Sequence, residues 1–230
     1  MTQAEFEIVL LSIRVSSVAI LAMLPVAFAL AWLLARKRLP GLVLLDALVH
    51  LPLVLPPVVT GWLLLLAFGA GGPIGRLLEA AFGASVMFRW SGAAIAAAVM
   101  ALPLMVRAIR LSLESVDRRL ENAARTLGAS KWRTYAAITL PLALPGVLAA
   151  MVLGFARSIG EFGATITFVS NIPGETRTLP LAIYTALQVP GSEGVVTRLA
   201  VISVLLSLGA LLASEMLVRR SGYGRGRHFV

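Results

Sequence analysis

Arg157 and Glu161 are two ionisable residues in an otherwise apolar stretch, "VLGFARSIGEFGATITFV". On a helix, residues four apart share a face and can form an ion pair. A charged residue at the centre of a membrane helix costs about 2.5 to 3.5 kcal/mol on insertion scales, so such residues are functional candidates. At about 1.5 Å per residue, Glu161 lies about 29 Å beyond Leu142, in the outer half of a membrane or at its outer interface. The spacing predicts a structural ion pair or a contact in an outer gate.

The sequence contains no constellation of residues that is typical of catalysis. There is no cysteine, which excludes disulfides, thiolate metal sites and a cysteine nucleophile. The two histidines, His50 and His228, are far apart and do not by themselves predict a metal site. No G-x-x-x-x-G-K-[ST] loop is present, so we do not expect this chain to hydrolyse ATP. An intramembrane enzyme would need a Ser/His, paired-Asp or metal arrangement, and the sequence predicts none.

The composition predicts an integral membrane protein. The 230 residues are 59% hydrophobic and 13% charged, whereas soluble domains carry about 25% charged residues. Several apolar runs exceed the length of about 18 residues that spans a bilayer core. A net charge of +9 could indicate a nucleic-acid partner, but in a membrane protein basic residues collect on cytoplasmic loops. We therefore expect a lipid environment and no nucleic acid.

Five apolar segments predict an all-α, polytopic transmembrane bundle of about five spans. They cover residues 9–35, 43–68, 91–106, 142–169 and 195–218. The stretches 77–88 and 179–187 are short and flanked by polar residues, so they are predicted to be external interfacial or re-entrant helices. A cleavable signal peptide is not expected, because Glu5 and Glu7 precede the first basic residue, Arg14, and the apolar run continues past Trp32.

The basic residues predict the orientation of the spans. Three places hold 14 of the 20 basic residues: Arg36 to Arg38, Arg107 to Arg133, and Arg219 to Arg227. If these places are cytoplasmic, five spans alternate consistently. The prediction is an external tail at 1–8, a transmembrane domain at 9–218 with a cytoplasmic loop at about 110–141, and a basic cytoplasmic tail at 219–230.

Prolines and small residues punctuate two of the spans. Pro52, Pro56 and Pro57 lie inside the second segment, where each removes a backbone donor and kinks a helix. A helix with such kinks either packs against other helices or lines a translocation pathway. Gly163, two residues after Glu161, is also a candidate for packing or for lining the pathway. The four-residue spacing within two sets predicts close helix packing. These sets are Ala150, Gly154 and Ser158, and Gly160 and Ala164.

The polar stretch "ENAARTLGASKWRTYAAITLP", residues 121–141, predicts two short helices outside the membrane. Asp117 is a candidate N-cap, Gly128 a candidate C′ residue and Ser130 a candidate cap of the second helix. An apolar face is predicted from i, i+3, i+4, i+7 spacing. It consists of Leu120, Ala123, Ala124 and Leu127. Periodicity leaves two interpretations open: a surface helix on lipid headgroups, or a helix that enters a groove of another protein.

The same stretch resembles the EAA signature of ABC importer permeases. The matching residues are Glu121, Ala123, Ala124, Gly128, Ile138, Leu140 and Pro141. Asn122, in place of the first alanine, is the one departure. Three further stretches resemble molybdate ABC transporter permeases, and together with the signature they cover most of the chain. They are "LVHLPLVLPP", "PLMVRAIRLSLESVD" and "ARSIGEFGATITFVSNIPGETRTLPLAIYT".

This resemblance implies a type I importer permease fold in a bacterial cytoplasmic (inner) membrane. It implies a homodimer, two cytoplasmic ABC ATPase subunits that bind the signature residues and Leu127, and a periplasmic oxyanion-binding protein. The ATPase subunits would use ATP-Mg, and this chain would bind no cofactor. The 121–141 stretch would be the coupling element that transmits ATP-driven motion to the spans.

The resemblance implies molybdate as the substrate, with tungstate as a close analogue. Sulfate or thiosulfate is the alternative within the class, and a self-sufficient channel or secondary transporter is a different class, although the sequence shows no clear internal repeat of the kind common there. A carboxylate repels an oxyanion, so Glu161 is not expected to bind the substrate. Arg177, in the external loop "NIPGETRTLP", either meets the incoming anion or the binding protein, or belongs to a simple connector.

Overall fold

The structure is a computed structural model that describes residues 1–36 and 40–220. Every regular element in these two ranges is helical. The helices are α1 (Gln3–Arg36), α2 (Leu42–Val54), α3 (Pro57–Phe68), α4 (Pro73–Phe82), α5 (Trp90–Ser115), α6 (Arg118–Thr126), α7 (Lys131–Thr134), α8 (Leu140–Ile159), α9 (Gly163–Val169), α10 (Leu179–Leu187) and α11 (Glu193–Arg220), with a π-helical segment at Tyr135–Thr139 between α7 and α8. Lys37, Arg38, Arg225, Arg227 and His228, and the predicted tail beyond residue 220, lie outside the described residues.

Helices α1, α5 and α8 form the centre of the bundle. Small side chains dominate where they meet: Ala27 and Ala31 of α1, and Ala97 and Ala101 of α5, are almost completely buried. Small residues allow helix backbones to approach closely, which is the main source of packing between helices in lipid. Larger side chains fill the remaining space, with Met105 of α5 fully buried among them.

The packing predicted from the small residues of the fourth segment is confirmed for one set. Ala150, Gly154 and Ser158 are all buried. A Cβ atom at Gly154 would lie 2.9 Å from side-chain atoms of both Ile20 and Met105, so α8 sits directly against α1 and α5 there. The second set packs only in part, because Ala164 is buried while Gly160 is exposed.

The second apolar segment is not the single kinked helix that the sequence predicts. It forms two helices, α2 and α3, that are bent by 116° at the break between them. Leu55, at the break, has an extended backbone, which the following proline imposes on its predecessor. Pro56 and Pro57 lack backbone N–H groups, so the helical ladder cannot continue through them.

The fourth apolar segment is also interrupted, which the sequence did not predict. Helix α8 ends at Ile159, and α9 begins at Gly163 after the break at 160–162. Glu161 is therefore beyond the helix rather than on one of its faces.

Other boundaries also differ from the prediction. The first helix begins at Gln3, so most of the predicted tail at 1–8 belongs to α1, and α5 continues to Ser115, well past residue 106. Among the described residues, four helices are long and apolar enough to cross a membrane, and the bent pair α2–α3 raises the number to five. This agrees with the predicted bundle of about five spans. The two short helices differ from each other: α4 has no buried residue, whereas α10 buries Leu179, Leu181 and Ala182.

The two breaks pack against each other. A Cβ atom at Gly61 of α3 would lie 2.6 Å from the backbone oxygen of Ala164 in α9, and one at Gly163 would lie 2.8 Å from Cβ of Pro57. We call the segments 55–56 and 160–162, with the starts of α3 and α9, the paired breaks. Gly61 holds them together because only a residue without a side chain fits there.

This contact predicts that Gly61→Ala destabilises the protein. The added methyl group meets backbone, which cannot move aside as a side-chain end can, and overpacking of this kind costs about 1 to 3 kcal/mol. Gly209→Ala is the matched control, because a Cβ atom at this helical glycine has no neighbour within 4 Å. Thermal unfolding in detergent should show a lower midpoint for Gly61→Ala only, and equal midpoints for the two variants would contradict the close contact.

Candidate functional sites in the Glu121 loop and at the paired breaks

The helices of the polar stretch begin and end at the predicted capping residues. The Asp117 side chain accepts a hydrogen bond from the backbone N–H of Arg119 at 2.8 Å, and the Ser130 hydroxyl accepts one from Arg133 at 3.3 Å. Gly128 follows the end of α6 with a φ of +88°, the left-handed conformation that favours glycine at this position. All three predictions are confirmed. We call residues 117–139 the Glu121 loop.

The Glu121 carboxylate joins three separate parts of the chain. Arg36, at the end of α1, donates to both oxygens, from Nη2 to Oε1 at 2.8 Å and from Nη1 to Oε2 at 3.2 Å. The Thr139 hydroxyl donates to Oε1 at 2.6 Å. Nη2 of Arg36 also donates to the backbone oxygen of Leu113 in α5 at 3.2 Å. We call these four residues the Glu121 node.

The node gives Glu121 partners within the chain, which the sequence did not predict. Its side chain is only 20% exposed and that of Arg36 only 13%, so the carboxylate points into the chain. A bidentate, charge-assisted pair of this kind fixes geometry as well as contributing energy. Glu121 therefore positions the loop, and other residues form the outward surface. The partners Arg36 and Thr139 lie 85 and 18 residues away, beyond the range of any local pattern.

A π-helical segment, Tyr135–Thr139, connects the loop to α8 without a break. Segments of this kind are rare and occur frequently at functional sites. The ring of Tyr135 makes edge contacts with those of Phe28 and Trp132. The loop is thus continuous with α8 and contacts α1 through Tyr135 and Phe28.

Large apolar side chains are exposed on the outward surface of the loop, alongside its arginines. Leu127 is 89% exposed and Trp132 is 82% exposed, which is unusual for such large side chains in a polar segment. Leu120, Ala124 and Leu127 line a groove of about 430 Å³ whose opposite wall includes Ala137, Ile138 and Pro141. Three of the seven predicted signature residues, Ala124, Ile138 and Pro141, thus line one groove. Ala123 is exposed on α6, and Leu140 is 38% exposed at the start of α8. Exposed apolar patches of this kind mark interaction surfaces.

The predicted ion pair at the second site is present. Nη1 of Arg157 lies 2.7 Å from Oε2 of Glu161, and the Glu161 side chain is 2% exposed. The other oxygen, Oε1, accepts a hydrogen bond from the backbone N–H of Ala164 at 2.9 Å. Glu161 thus caps the start of α9 while it pairs with α8. This second contact satisfies a backbone donor that the break would leave without a partner.

The other residues predicted to line the pathway or to pack in this region lie at the paired breaks. Pro56 and Pro57 form one break, and Gly163 from the other break lies against Pro57. Irregular backbone at membrane depth is tolerated only where it is buried in protein or lines a water-filled cavity.

Arg177 lies in a different place, in the loop after α9. Its Nε donates to Oδ1 of Asn171 at 2.9 Å, and Nδ2 of Asn171 donates to the Thr185 hydroxyl at 2.7 Å. The loop is therefore held to α10 by side chains. Arg177 also lines a small cavity of about 110 Å³ together with Glu7 and Pro173.

Sequence reasoning missed a cluster of charged residues between α2 and α5. Arg110 pairs with Asp46 of α2 (Nη1 to Oδ2, 3.1 Å) and with Glu114 (Nε to Oε1, 2.8 Å), and His50 lies 3.1 Å from Asp46. These side chains and Arg107 line a cavity of about 350 Å³. The i, i+4 spacing of Asp46 with His50 and of Arg110 with Glu114 was the available signal. Among the described residues no group of His, Asp and Glu side chains is arranged to hold a metal ion.

Comparisons with known proteins point to one family. The family described as "Binding-protein-dependent transport system inner membrane component" matches residues 23–223. The chain is 58% identical over 227 residues to the molybdenum transport system permease protein ModB of Escherichia coli (strain K12), covering 99% of both chains. It is 38% identical over 199 residues to the sulfate transport system permease protein CysT of the same strain, covering 85% of this chain and 69% of that one.

The fold is shared with a solved transporter. A chain from the crystal structure of a bacterial alginate ABC transporter, in complex with an alginate pentasaccharide-bound periplasmic protein, superposes with a TM-score of 0.73 at 16% identity, covering 96% of this chain and 80% of that one. The sequence identity is too low to indicate a shared substrate. The structural superposition shows that this chain has an ABC importer permease fold.

The Glu121 node predicts that Glu121→Gln loosens the loop without unfolding the spans. Hydrogen bonds that involve a charged group contribute about 1.5 to 3 kcal/mol, and the substitution removes the charge while it keeps the shape. Hydrogen exchange of backbone amides at 118–134 should become about tenfold faster or more. Glu114→Gln is the control, because this carboxylate is 41% exposed and exposed pairs contribute about 0 to 1 kcal/mol. Equal exchange in both variants would contradict the role of the node.

Proposed function

Because this chain belongs to the family of binding-protein-dependent transport system inner membrane components, we propose that it is the membrane-spanning subunit of an ATP-driven importer of molybdate. The supporting observation is the Glu121 loop, in which exposed apolar side chains are tied rigidly to membrane helices. An exposed apolar surface that is rigidly attached to membrane helices can bind a partner protein and transmit its ATP-driven motion to the helices. The chain is a transport component rather than an enzyme, as its relatives are permeases.

Similarity supports molybdate over sulfate. The identity to the molybdenum permease is 58% across almost the whole of both chains, against 38% across part of the sulfate permease. Tungstate has the same tetrahedral shape and charge as molybdate and would use the same route. A self-sufficient channel or secondary transporter has no support from these relatives, and it would leave the apolar surface of the loop without a purpose.

The proposed partners follow from the same surfaces. Two cytoplasmic ABC ATPase subunits would bind the Glu121 loop and use ATP-Mg, while this chain binds no nucleotide or other cofactor. A periplasmic oxyanion-binding protein would dock at the opposite ends of the helices, where the loop of Arg177 lies. A second copy of this chain would complete the pathway as a homodimer, and apolar side chains exposed on α2 and α3, such as Val54 and Trp62, are available for that contact.

The proposed orientation puts the N-terminus outside and the Glu121 loop in the cytoplasm. Since the chain contains no cysteine, single cysteines can test it directly. Asn122→Cys and Ala84→Cys both replace exposed residues, one in α6 and the other between α4 and α5. In intact cells an impermeant thiol reagent should label Ala84→Cys, and it should label Asn122→Cys only after the membrane is permeabilised. Labelling of Asn122→Cys in intact cells would overturn the orientation and the proposed ATPase contact.

The ATPase contact predicts that Leu127→Asp removes the partner and spares the fold. The side chain is 89% exposed, so the change disturbs little within the chain. A carboxylate in an apolar contact costs about 2 kcal/mol or more, which is about thirtyfold or more in affinity. Co-purification with a co-expressed ABC ATPase should fall accordingly. Leu187→Asp, at a leucine that is 67% exposed at the end of α10, should leave co-purification unchanged.

The substrate is tested by uptake in cells that lack this chain. Molybdenum accumulation, measured by elemental mass spectrometry at nanomolar to micromolar molybdate, should fall and recover with the wild-type chain, while sulfate uptake stays intact. A sulfate defect with normal molybdenum accumulation would instead favour the sulfate alternative.

A further inference from the structure

We propose that Arg157 is an anion-binding residue of the translocation pathway. One side of its guanidinium is held by Glu161, and the other side is presented to the tetrahedral oxyanion as it passes. This inference rests on the proposed function, and it names a residue that would contact the cargo inside the membrane.

The ion pair leaves Glu161 fully engaged and Arg157 only partly engaged. Both oxygens of Glu161 have partners, Nη1 of Arg157 and the backbone N–H of Ala164. A guanidinium has five N–H donors. Among the residues whose side chains the structure describes, Arg157 makes no hydrogen bond or ion pair besides the one to Glu161. Its side chain is 27% exposed against 2% for Glu161, so the arginine is the accessible member of the pair.

The location of Arg157 favours a water-filled space over lipid. It shares a face of α8 with Leu153, which is 39% exposed in the single chain, and it lies just before the exposed Gly160 at the break. An arginine within a span almost always faces the bundle interior or an aqueous cavity, because its cost in hydrocarbon is high. The partial exposure of Arg157 therefore favours an aqueous route along this face of α8.

The chemistry of the pair suits transit rather than tight binding. The planar fork of a guanidinium matches two oxygens of a tetrahedral oxyanion, which the point charge of a lysine does not. Glu161 cancels the net charge of Arg157, so an anion would be attracted only at short range. Conduction requires binding that is favourable enough for entry and weak enough for release. The fixed carboxylate therefore orients the arginine and limits its affinity.

The competing explanation is that Arg157 only neutralises the buried Glu161. Charge removal separates the two roles. If Arg157 is a counterion, Arg157→Gln should be harmful alone and Arg157→Gln/Glu161→Gln should recover, since the unpaired carboxylate is gone. If Arg157 binds the anion, the double variant should stay defective.

The experiment uses the complete transporter reconstituted in liposomes with its ATPase and binding protein, and it measures molybdate uptake per assembled complex. We expect Arg157→Gln and the double variant to lose about tenfold or more in uptake, the effect of removing charged hydrogen bonds to a ligand. Recovery of uptake in the double variant would overturn the proposal.

The Glu5–Arg198 pair provides a matched control. It is also an Arg–Glu pair with a 5% exposed carboxylate, and Nη2 of Arg198 lies 2.7 Å from Oε1 of Glu5. It joins the starts of α1 and α11, away from the paired breaks. Arg198→Gln/Glu5→Gln should transport molybdate within about threefold of wild type, because removal of both charges leaves no unpaired charge in the bundle. A loss as large as that of the Arg157 double variant would show a general effect of charge removal and would overturn the proposal.

Arg157→Lys covers the case in which Arg157→Gln does not assemble. Lysine keeps the charge that Glu161 needs and removes the fork, so uptake should still fall several-fold, and uptake equal to wild type would contradict anion binding by Arg157. The proposed function has its own test within the same assay. If the wild-type transporter accumulates no molybdate, the substrate is wrong whatever the variants do.

Discussion

The tie between Glu121 and Arg36 is the interaction on which the mechanical unity of this protein depends. The Glu121 loop lies outside the apolar bundle and buries little surface of its own, so packing alone would leave it loose. The bidentate pair holds it to α1, the Thr139 hydroxyl holds it to the start of α8, and the bond from Arg36 to Leu113 adds α5. A force applied at the exposed Leu127 and Trp132 of the loop therefore reaches α1, α5 and α8 together.

The membrane part follows a second constraint, that backbone donors and acceptors in lipid need partners within the protein. Prolines break the α2–α3 segment, and a glycine begins the break between α8 and α9. The two breaks pack against each other, and the Glu161 carboxylate accepts a hydrogen bond from a backbone N–H at the start of α9. These contacts reduce the free-energy cost of interrupting the helices. Glu161, which the sequence predicts to pair with Arg157, thus has a second partner in the main chain.

What could be predicted from the sequence was local or compositional. The caps at Asp117, Gly128 and Ser130 depend on neighbours within a few residues, and the number of spans depends on hydropathy over about 18 residues. The 116° bend could not be predicted, because prolines show that a helix is interrupted and do not fix the angle that tertiary packing selects. The break at 160–162 was hidden by apolar residues on both sides. The partners of Glu121, and the pairing of Arg110 with Asp46, join residues that are distant in sequence.

The π-helical segment at Tyr135–Thr139 restricts how this chain can evolve. A π turn accommodates one residue more than an α turn, and each residue of an α-helix advances the direction of its side chain by about 100°. Deleting a single residue here would restore a regular helix and rotate everything before it by that angle about the α8 axis. Thr139 would then no longer face Glu121, and the tip of the loop would point in another direction. The direction of the loop therefore depends on the number of residues in this segment as well as on their types.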